Sequence, residues 1–382
     1  MVCGEELVAL PGTVRARTAE QAWARVAGRL PSFGITRVAR LTGLDCIGLP
    51  VWTAVRPASL TLSASQGKGA TDLLAKLSAV MEAIELWHVE QPLPVEARGP
   101  AADVAPDCPL DALPLTVPYD RRTLARIAWE WTPGTGLLSG EKALLPLDLV
   151  RRRAQRPQWG PDLLRATSTG LACGSTRDEA LLHALFEVVE RDVLHRDGAD
   201  GGRRRILVAP STVDDPYGRQ VIDRLTAAGM SLELALVDGP YGLPVCLAYL
   251  WSEDLPVVFA GSGCHTIPAI ALTRALTEAA QSRVTAIAGT RDDLPSEPAP
   301  LDTSSFHPAR HDGLVPWPET AARFSPARGG FASQAREVAR RVEQVTGHEP
   351  VALDLSDAAD LVHAVQVVAP GTRSRIRRAM PR

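Results

Sequence analysis

A unit in which a glycine-rich segment runs into a helix with acidic residues recurs three times in this chain, and it constrains the fold more than any other feature. Ser63-Ala-Ser-Gln-Gly-Lys-Gly-Ala70 leads into Leu73 to Glu85, Thr167-Ser-Thr-Gly-Leu-Ala-Cys-Gly174 into Leu181 to Arg191, and Gly261-Ser-Gly-Cys-His265 into Ala271 to Gln281. The interval from loop glycine to first helical glutamate is identical in two copies, Gly69 to Glu82 and Gly174 to Glu187.

Glu82 and Glu85 are three residues apart, as are Glu187 and Glu190, so on a helix each pair shares one face. Their neighbours are apolar: Val80, Met81, Ala83 and Ile84 in one helix, Phe186, Val188 and Val189 in the other. Two carboxylates in such surroundings repel each other and lose solvation unless a cation lies between them. Hard oxygen donors select magnesium or calcium. Two such helices, with Glu278 from the third unit, predict an acidic cleft for Mg²⁺. In that cleft glycine-loop N–H groups, Arg191 and Arg274 would face the phosphates of a nucleotide.

Taken singly, each piece has a plainer reading. A lone Glu-x-x-Glu is ordinarily a solvated helix face, Gly67-Lys68-Gly69 a turn, and His88 and His183 packing or solvent-facing residues. There is no Gly-x-x-x-x-Gly-Lys-Ser/Thr loop and no Gly-x-Gly-x-x-Gly opening a helix after a strand. Repetition of the whole unit favours a metal and nucleotide site.

With 382 residues the chain can bury a large core as one merged or two to three domains. Its net charge of −3 gives no general reason to bind nucleic acid, although the tail Arg373-Ser-Arg-Ile-Arg-Arg378 is locally basic and reads as a solvated end. No signal segment and no bilayer-length apolar run is present, which predicts a cytoplasmic protein without a membrane partner. Cys3, Cys46, Cys108, Cys173, Cys246 and Cys264 follow no zinc spacing and read as buried free thiols. Lysine occurs only at Lys68, Lys76 and Lys142 in an otherwise arginine-rich chain, which singles out Lys68 between its two glycines.

Strands and helices intersperse, predicting an α+β fold of mixed sheets with packed helices. Thr18 caps a short amphipathic helix, and strands are expected at Cys46–Val55, Leu60–Ser63, Arg205–Val208, Leu232–Val237, Val245–Leu250, Val257–Ala260, Val351–Asp354 and Ala364–Val368. Gln91–Leu138 reads as loop and edge structure, and Arg291–Gly330 as a long surface loop or lid.

Three motifs resemble those of the YcaO family. They are Ser65-Gln-Gly-Lys-Gly69 with Ser78-Ala-Val-Met-Glu-Ala-Ile-Glu85; Ser168-Thr-Gly-Leu-Ala with Glu187-Val-Val-Glu-Arg-Asp192; and Arg274-Ala-Leu-Thr-Glu-Ala-Ala-Gln281. The resemblance runs from about Arg15 to about Pro370, implying one merged catalytic domain over 15–370, built of repeated glycine-loop and helix units around an ATP cleft, with a basic tail over 371–382. It implies ATP and Mg²⁺ as cofactors. Glu82, Glu85, Glu187, Glu190 and Glu278 would be the metal-side residues, and Arg15, Lys68, Ser175, Glu179, Arg191 and Arg274 the nucleotide contacts. No catalytic side chain is assigned.

The activity implied is phosphorylation of a peptide backbone amide oxygen after a nucleophile attacks its carbon, in the maturation of a ribosomally made peptide. A side-chain nucleophile gives an azoline, an external sulfide a thioamide; amidine formation stays open, as does a degenerate scaffold that only presents a precursor peptide. Thr169 and Ser175 replace frequent asparagines, and the end Ala379-Met-Pro-Arg382 lacks the Pro-x-Pro-x-Pro of azoline-forming members. Gly34–Asp45, Gly48-Leu-Pro-Val51 and Arg56-Pro57 are similar to stand-alone members encoded beside a TfuA-like protein. A homodimer working with a precursor peptide and a TfuA-like or ThiF-like partner is therefore expected.

Overall fold

A computed structural model describes residues 7–104, 108–115, 119–151, 163–164, 166–290, 313–357 and 359–374. A hairpin of β1 (Val8–Leu10) and β2 (Thr13–Arg15) opens it and ends on Arg15. Thr18 caps α1 (Ala19–Val26) as expected. Its hydroxyl accepts the Gln21 N–H at 3.3 Å, and the Gln21 side chain accepts the Thr18 N–H at 3.0 Å. Then β3 (Arg37–Arg40), β4 (Val51–Val55) and β5 (Ala64–Lys68) form an antiparallel sheet under α2 (Asp72–Glu90).

Two strand expectations fail here. Cys46 to Pro50 is not strand, because Arg283 holds Asp45 through its Nε at 3.2 Å and Gly48 turns the chain at φ 70°. Leu60–Ser63 is loop: the Leu60 N–H and Thr61 hydroxyl donate to the Glu90 carboxylate rather than to a neighbouring strand.

The middle of the chain holds β6 (Ala97–Pro100), α3 (Ala101–Val104), α4 (Arg121–Arg126), β7 (Ala128–Gly136), β8 (Lys142–Pro146), β9 (Leu171–Gly174) and α5 (Arg177–Ala199). Gln91–Leu138 is thus not only loop and edge. Strand β7 lies inside a sheet and buries Trp129 and Trp131, whose large apolar surfaces favour strand despite the adjacent Pro133 and Gly134.

The last third comprises β10 (Arg205–Ala209), α6 (Pro216–Ala227), β11 (Ser231–Val237), β12 (Val245–Trp251), β13 (Phe259–Cys264), α7 (Pro268–Ala288), β14 (Val315–Pro316), α8 (Trp317–Ala321), α9 (Phe331–Thr346), β15 (Val351–Asp354) and β16 (His363–Val368). One sheet runs β13-β12-β11-β10-β14 and another β6-β7-β15-β16-β9, with β8 on β7. Only β10 and β14 pair in parallel among the described strands, so the α+β expectation holds. Most of the lid expected over Arg291–Gly330 lies outside the described residues, and its remainder carries β14 and α8. The tail beyond residue 374 lies outside them too.

The three glycine-rich segments are corrected from loops to strands: they contain β5, β9 and β13, each followed within four residues by α2, α5 or α7. Close packing explains their glycines. A Cβ on Gly67 would sit 2.0 Å from the Ala79 nitrogen, and one on Gly261 would sit 2.2 Å from the Ala275 oxygen and the Ala279 nitrogen. Helices α2 and α7 each lay two alanines one turn apart on a strand glycine, and α5 brings the Ala180 nitrogen within 2.9 Å of where a Gly174 Cβ would stand. The units also close on one another: α2 packs on β9, α5 on β13 and α7 on β5.

Candidate functional site

That cyclic packing brings the five glutamates into one row. Within each unit the first carboxylate is held locally: the Gln66 N–H donates to Glu82 at 3.2 Å, and the Gly170 N–H to Glu187 at 2.9 Å. The second is held by the next unit. The Cys173 N–H of β9 donates to Glu85 at 2.9 Å, the Ser262 hydroxyl of β13 to Glu190 at 2.6 Å, and Lys68 of β5 pairs with Glu278 at 3.2 Å. Strand N–H groups expected to face phosphates therefore serve the carboxylates instead.

Electrostatics confirm the row. Burial pushes the Glu85 carboxyl up to about 8, with Glu82 and Glu187 adding repulsion against the Cys173 bond. Burial likewise raises Glu187 to about 7 despite Arg191 and Arg274, with Glu190 repelling it. Glu190 is raised by burial and then by Glu278. The repulsion runs Glu82, Glu85, Glu187, Glu190, Glu278, across all three helices. Solvent still reaches the row, since the Glu187 side chain is 27% exposed.

Cations interleave. Arg191 pairs with Glu187 at 2.5 Å and donates to Thr169 at 2.8 Å and Ser168 at 3.2 Å, so the departure at Thr169 keeps a hydrogen-bonding partner. Arg274 lies beside Glu187 and Glu190, and its Nε is buried without a hydrogen-bond partner among the described residues. A second group lies further up α5, where Arg15 contacts Glu179 at 3.5 Å and His183 Nε2 at 2.6 Å. The same Glu179, 2% exposed, accepts the Ser175 N–H at 2.8 Å.

The donors fit Mg²⁺ and an anionic partner. Hard carboxylate oxygens crowd in the row, Glu85 repelled by both Glu82 and Glu187, and the orphaned Arg274 N–H lacks an acceptor among the described residues. No three His, Cys, Asp or Glu side chains among the described residues converge on one point.

The family model described as YcaO cyclodehydratase, ATP- and Mg²⁺-binding, matches residues 66–373. The chain belongs to the YcaO family. An uncharacterized protein of Mycobacterium tuberculosis is 37% identical over 94% of this chain and 82% of its own length. An uncharacterized protein of the tfuA 3′ region of Rhizobium leguminosarum bv. trifolii is 37% identical over 73% of this chain and 69% of its own. Among solved structures, YcaO from Methanopyrus kandleri bound with AMPPCP and Mg²⁺ superposes with a TM-score of 0.76 at 23% identity, covering 96% of this chain and 94% of that one. A heterocyclase in complex with substrate and cofactor gives 0.74 at 22% identity, covering 97% of this chain and 55% of that one. The YcaO fold is thereby established, and ATP and Mg²⁺ are the cofactors that this family binds.

Every residue expected on the metal side of the YcaO cleft lies in the row, with Lys68, Arg191 and Arg274 beside it. Arg15, Glu179 and Ser175 form the adjoining group, Ser175 through its backbone N–H alone. His183 packs its ring on Phe186, as expected of a packing residue, and in addition contacts Arg15. The signal in the sequence was its spacing, since Glu179, His183 and Glu187 recur every four residues on one face of α5. Gln66 was not singled out; its carbonyl accepts from Gln281 at 3.0 Å, and its side chain bonds Thr285, tying β5 to α7. Buried free thiols hold for Cys173, Cys246 and Cys264, whereas Cys46 is exposed and Cys108 partly so. No helix among the described residues is long and apolar enough to cross a membrane.

Proposed function

We propose that this YcaO protein uses ATP and Mg²⁺ to activate a backbone amide of a peptide, giving an azoline or a thioamide. The supporting observation is the row of five glutamates from three helices with Lys68, Arg191 and Arg274 set into it, a charge pattern that suits phosphates carried with a bridging cation. Glu82, Glu85, Glu187, Glu190 and Glu278 would hold Mg²⁺. Lys68, Arg191 and Arg274 would orient the phosphates, and Arg15, Ser175 and Glu179 would border the nucleotide. When bound, the nucleotide supplies a phosphoryl group that turns the amide oxygen into a leaving group.

The chain's own part is to position and to neutralise. Arginines stay charged throughout and offer paired N–H donors to phosphate oxygens. Two buried cysteines beside the row are poor nucleophiles: burial raises the Cys173 thiol well above its ordinary value, with Glu85 adding to it, and burial raises Cys264 likewise. In this reading the nucleophile belongs to the peptide or to an external sulfide. The relative from a tfuA region favours sulfide and a TfuA-like partner; assembly as a homodimer and one merged domain over 15–370 belong to the same reading.

The experiment is mass spectrometry of a cysteine-containing peptide encoded near this gene, incubated with the protein, ATP, Mg²⁺ and sulfide, with and without the neighbouring partner. Loss of one water marks an azoline, and exchange of one oxygen for sulfur a thioamide. An unchanged peptide together with no ATP turnover would point to the peptide-presenting scaffold.

A further inference from the structure

A shallow groove of about 320 Å³ lies on the opposite side of α2 from the glutamate row. Trp23, Leu30, Pro31, Ile35 and Val38 give it an apolar floor, while Arg37 and Lys76 stand at its rim; no carboxylate lines it. Lys76 is nine residues from Glu85, half a turn out of phase on the helix, so one face of α2 serves the groove and the other the cleft.

The groove runs along β3, a terminal strand of its sheet among the described strands. Its pairing shows which backbone groups are free. The Leu41 N–H donates to the Val51 oxygen at 2.8 Å, so by strand alternation the N–H and C=O of Val38 and Arg40 point away from β4. An open edge beside apolar pockets is how a sheet accepts an extended peptide as an added strand. Charged residues also guard edges against self-pairing. Lys76, however, does not extend into solvent: its ammonium lies 3.8 Å from the Trp23 ring centroid, making the rim part of the groove wall.

We propose that this groove docks an extended, acidic stretch of the peptide substrate as a further strand on β3. The inference rests on the reading that the substrate is a peptide. Apolar side chains on one face of the added strand would meet Trp23, Ile35 and Val38, while its carboxylates would meet Arg37 and Lys76. A helix is about 10 Å across, so on the order of ten extended residues let the same peptide pass around α2 to the glutamate row. Docking and chemistry then occupy separate parts of one substrate.

Fluorescence anisotropy with a labelled peptide alternating glutamate and leucine, and with its lysine–leucine counterpart, tests this on the full chain. The acidic peptide is expected to bind, more weakly as salt rises, and the lysine peptide not to bind. Arg37→Glu with Lys76→Glu should lower acidic-peptide affinity by about tenfold or more and gain the lysine peptide. Val38→Pro removes one outward N–H without touching the ladder to β4, and should weaken binding with no change in salt dependence. Wild type that ignores both peptides or binds them alike, or variants that bind as wild type does, overturn the proposal. Mg²⁺-dependent ATP binding, measured on the same samples and expected unchanged in all of them, reports separately on the proposed reaction.

Discussion

The Ser262 hydroxyl donates to Glu190 at 2.6 Å, so a strand of the third unit holds a carboxylate of the second. Cys173 does the same for Glu85 and Lys68 for Glu278. Each unit thus completes the acid pair or acid of its neighbour, and the row exists only when all three are packed together.

Removing charge from the row should stabilise the protein without metal. The folded Glu85 carboxyl is raised to about 8 from its usual 4.5, so the folded state holds the proton more tightly. Stability is lost as pH rises between those two values. Glu85→Gln should therefore have a higher Tm than wild type at pH 8, the difference shrinking toward pH 5. His183 and His265 pull the other way below about 6.5, since burial lowers both, but they act in both proteins and cancel. Thermal melts across this range check it; a constant difference would count against the row's repulsion.

Close helix–strand contact predicts that Gly67→Ala and Gly261→Ala each destabilise by about 1–3 kcal/mol or more, because the added Cβ meets helix backbone that cannot move aside. Urea unfolding measures this. Gly28 and Gly43, with no positive φ and open space where a Cβ would stand, should tolerate alanine.

That distinction is where the sequence was hardest to read. Glycine disfavours strands locally, so Gln66-Gly-Lys and Gly261-Ser-Gly look like turns; the reason for glycine there is the helix lying across it, which only the tertiary structure reveals. Strand β7 was hidden similarly, behind Pro133 and Gly134. By contrast, the acidic pairs of α2 and α5 stood out, because carboxylates amid apolar residues are costly wherever they are buried. Strands β10, β11, β12, β15 and β16 were legible from continuous apolar runs, and α1 from its cap. The partnership of Arg15 with His183, 168 residues apart, carried no local signal beyond the spacing on α5.

His183→Ala should free Arg15 from one of its two contacts, raising the KM for ATP several-fold while kcat changes less. His183→Gln, which can still accept from Arg15, should recover part of the loss. Steady-state phosphate release distinguishes them; equal kcat loss in both variants would assign His183 a different role.

Cys173→Ser and Cys264→Ser should retain turnover within a few-fold of wild type, since burial holds both thiols protonated. Loss of all turnover in a variant that remains folded by circular dichroism would contradict this.

Calorimetric titration of ATP with and without Mg²⁺, comparing wild type with Glu187→Gln, Glu190→Gln, tests the central claim most directly. The variant relieves repulsion in the row and should fold well. Wild type should bind ATP tightly only with Mg²⁺ and the variant should lose that binding; ATP binding that is indifferent to Mg²⁺, or that survives intact in the variant, would contradict the account.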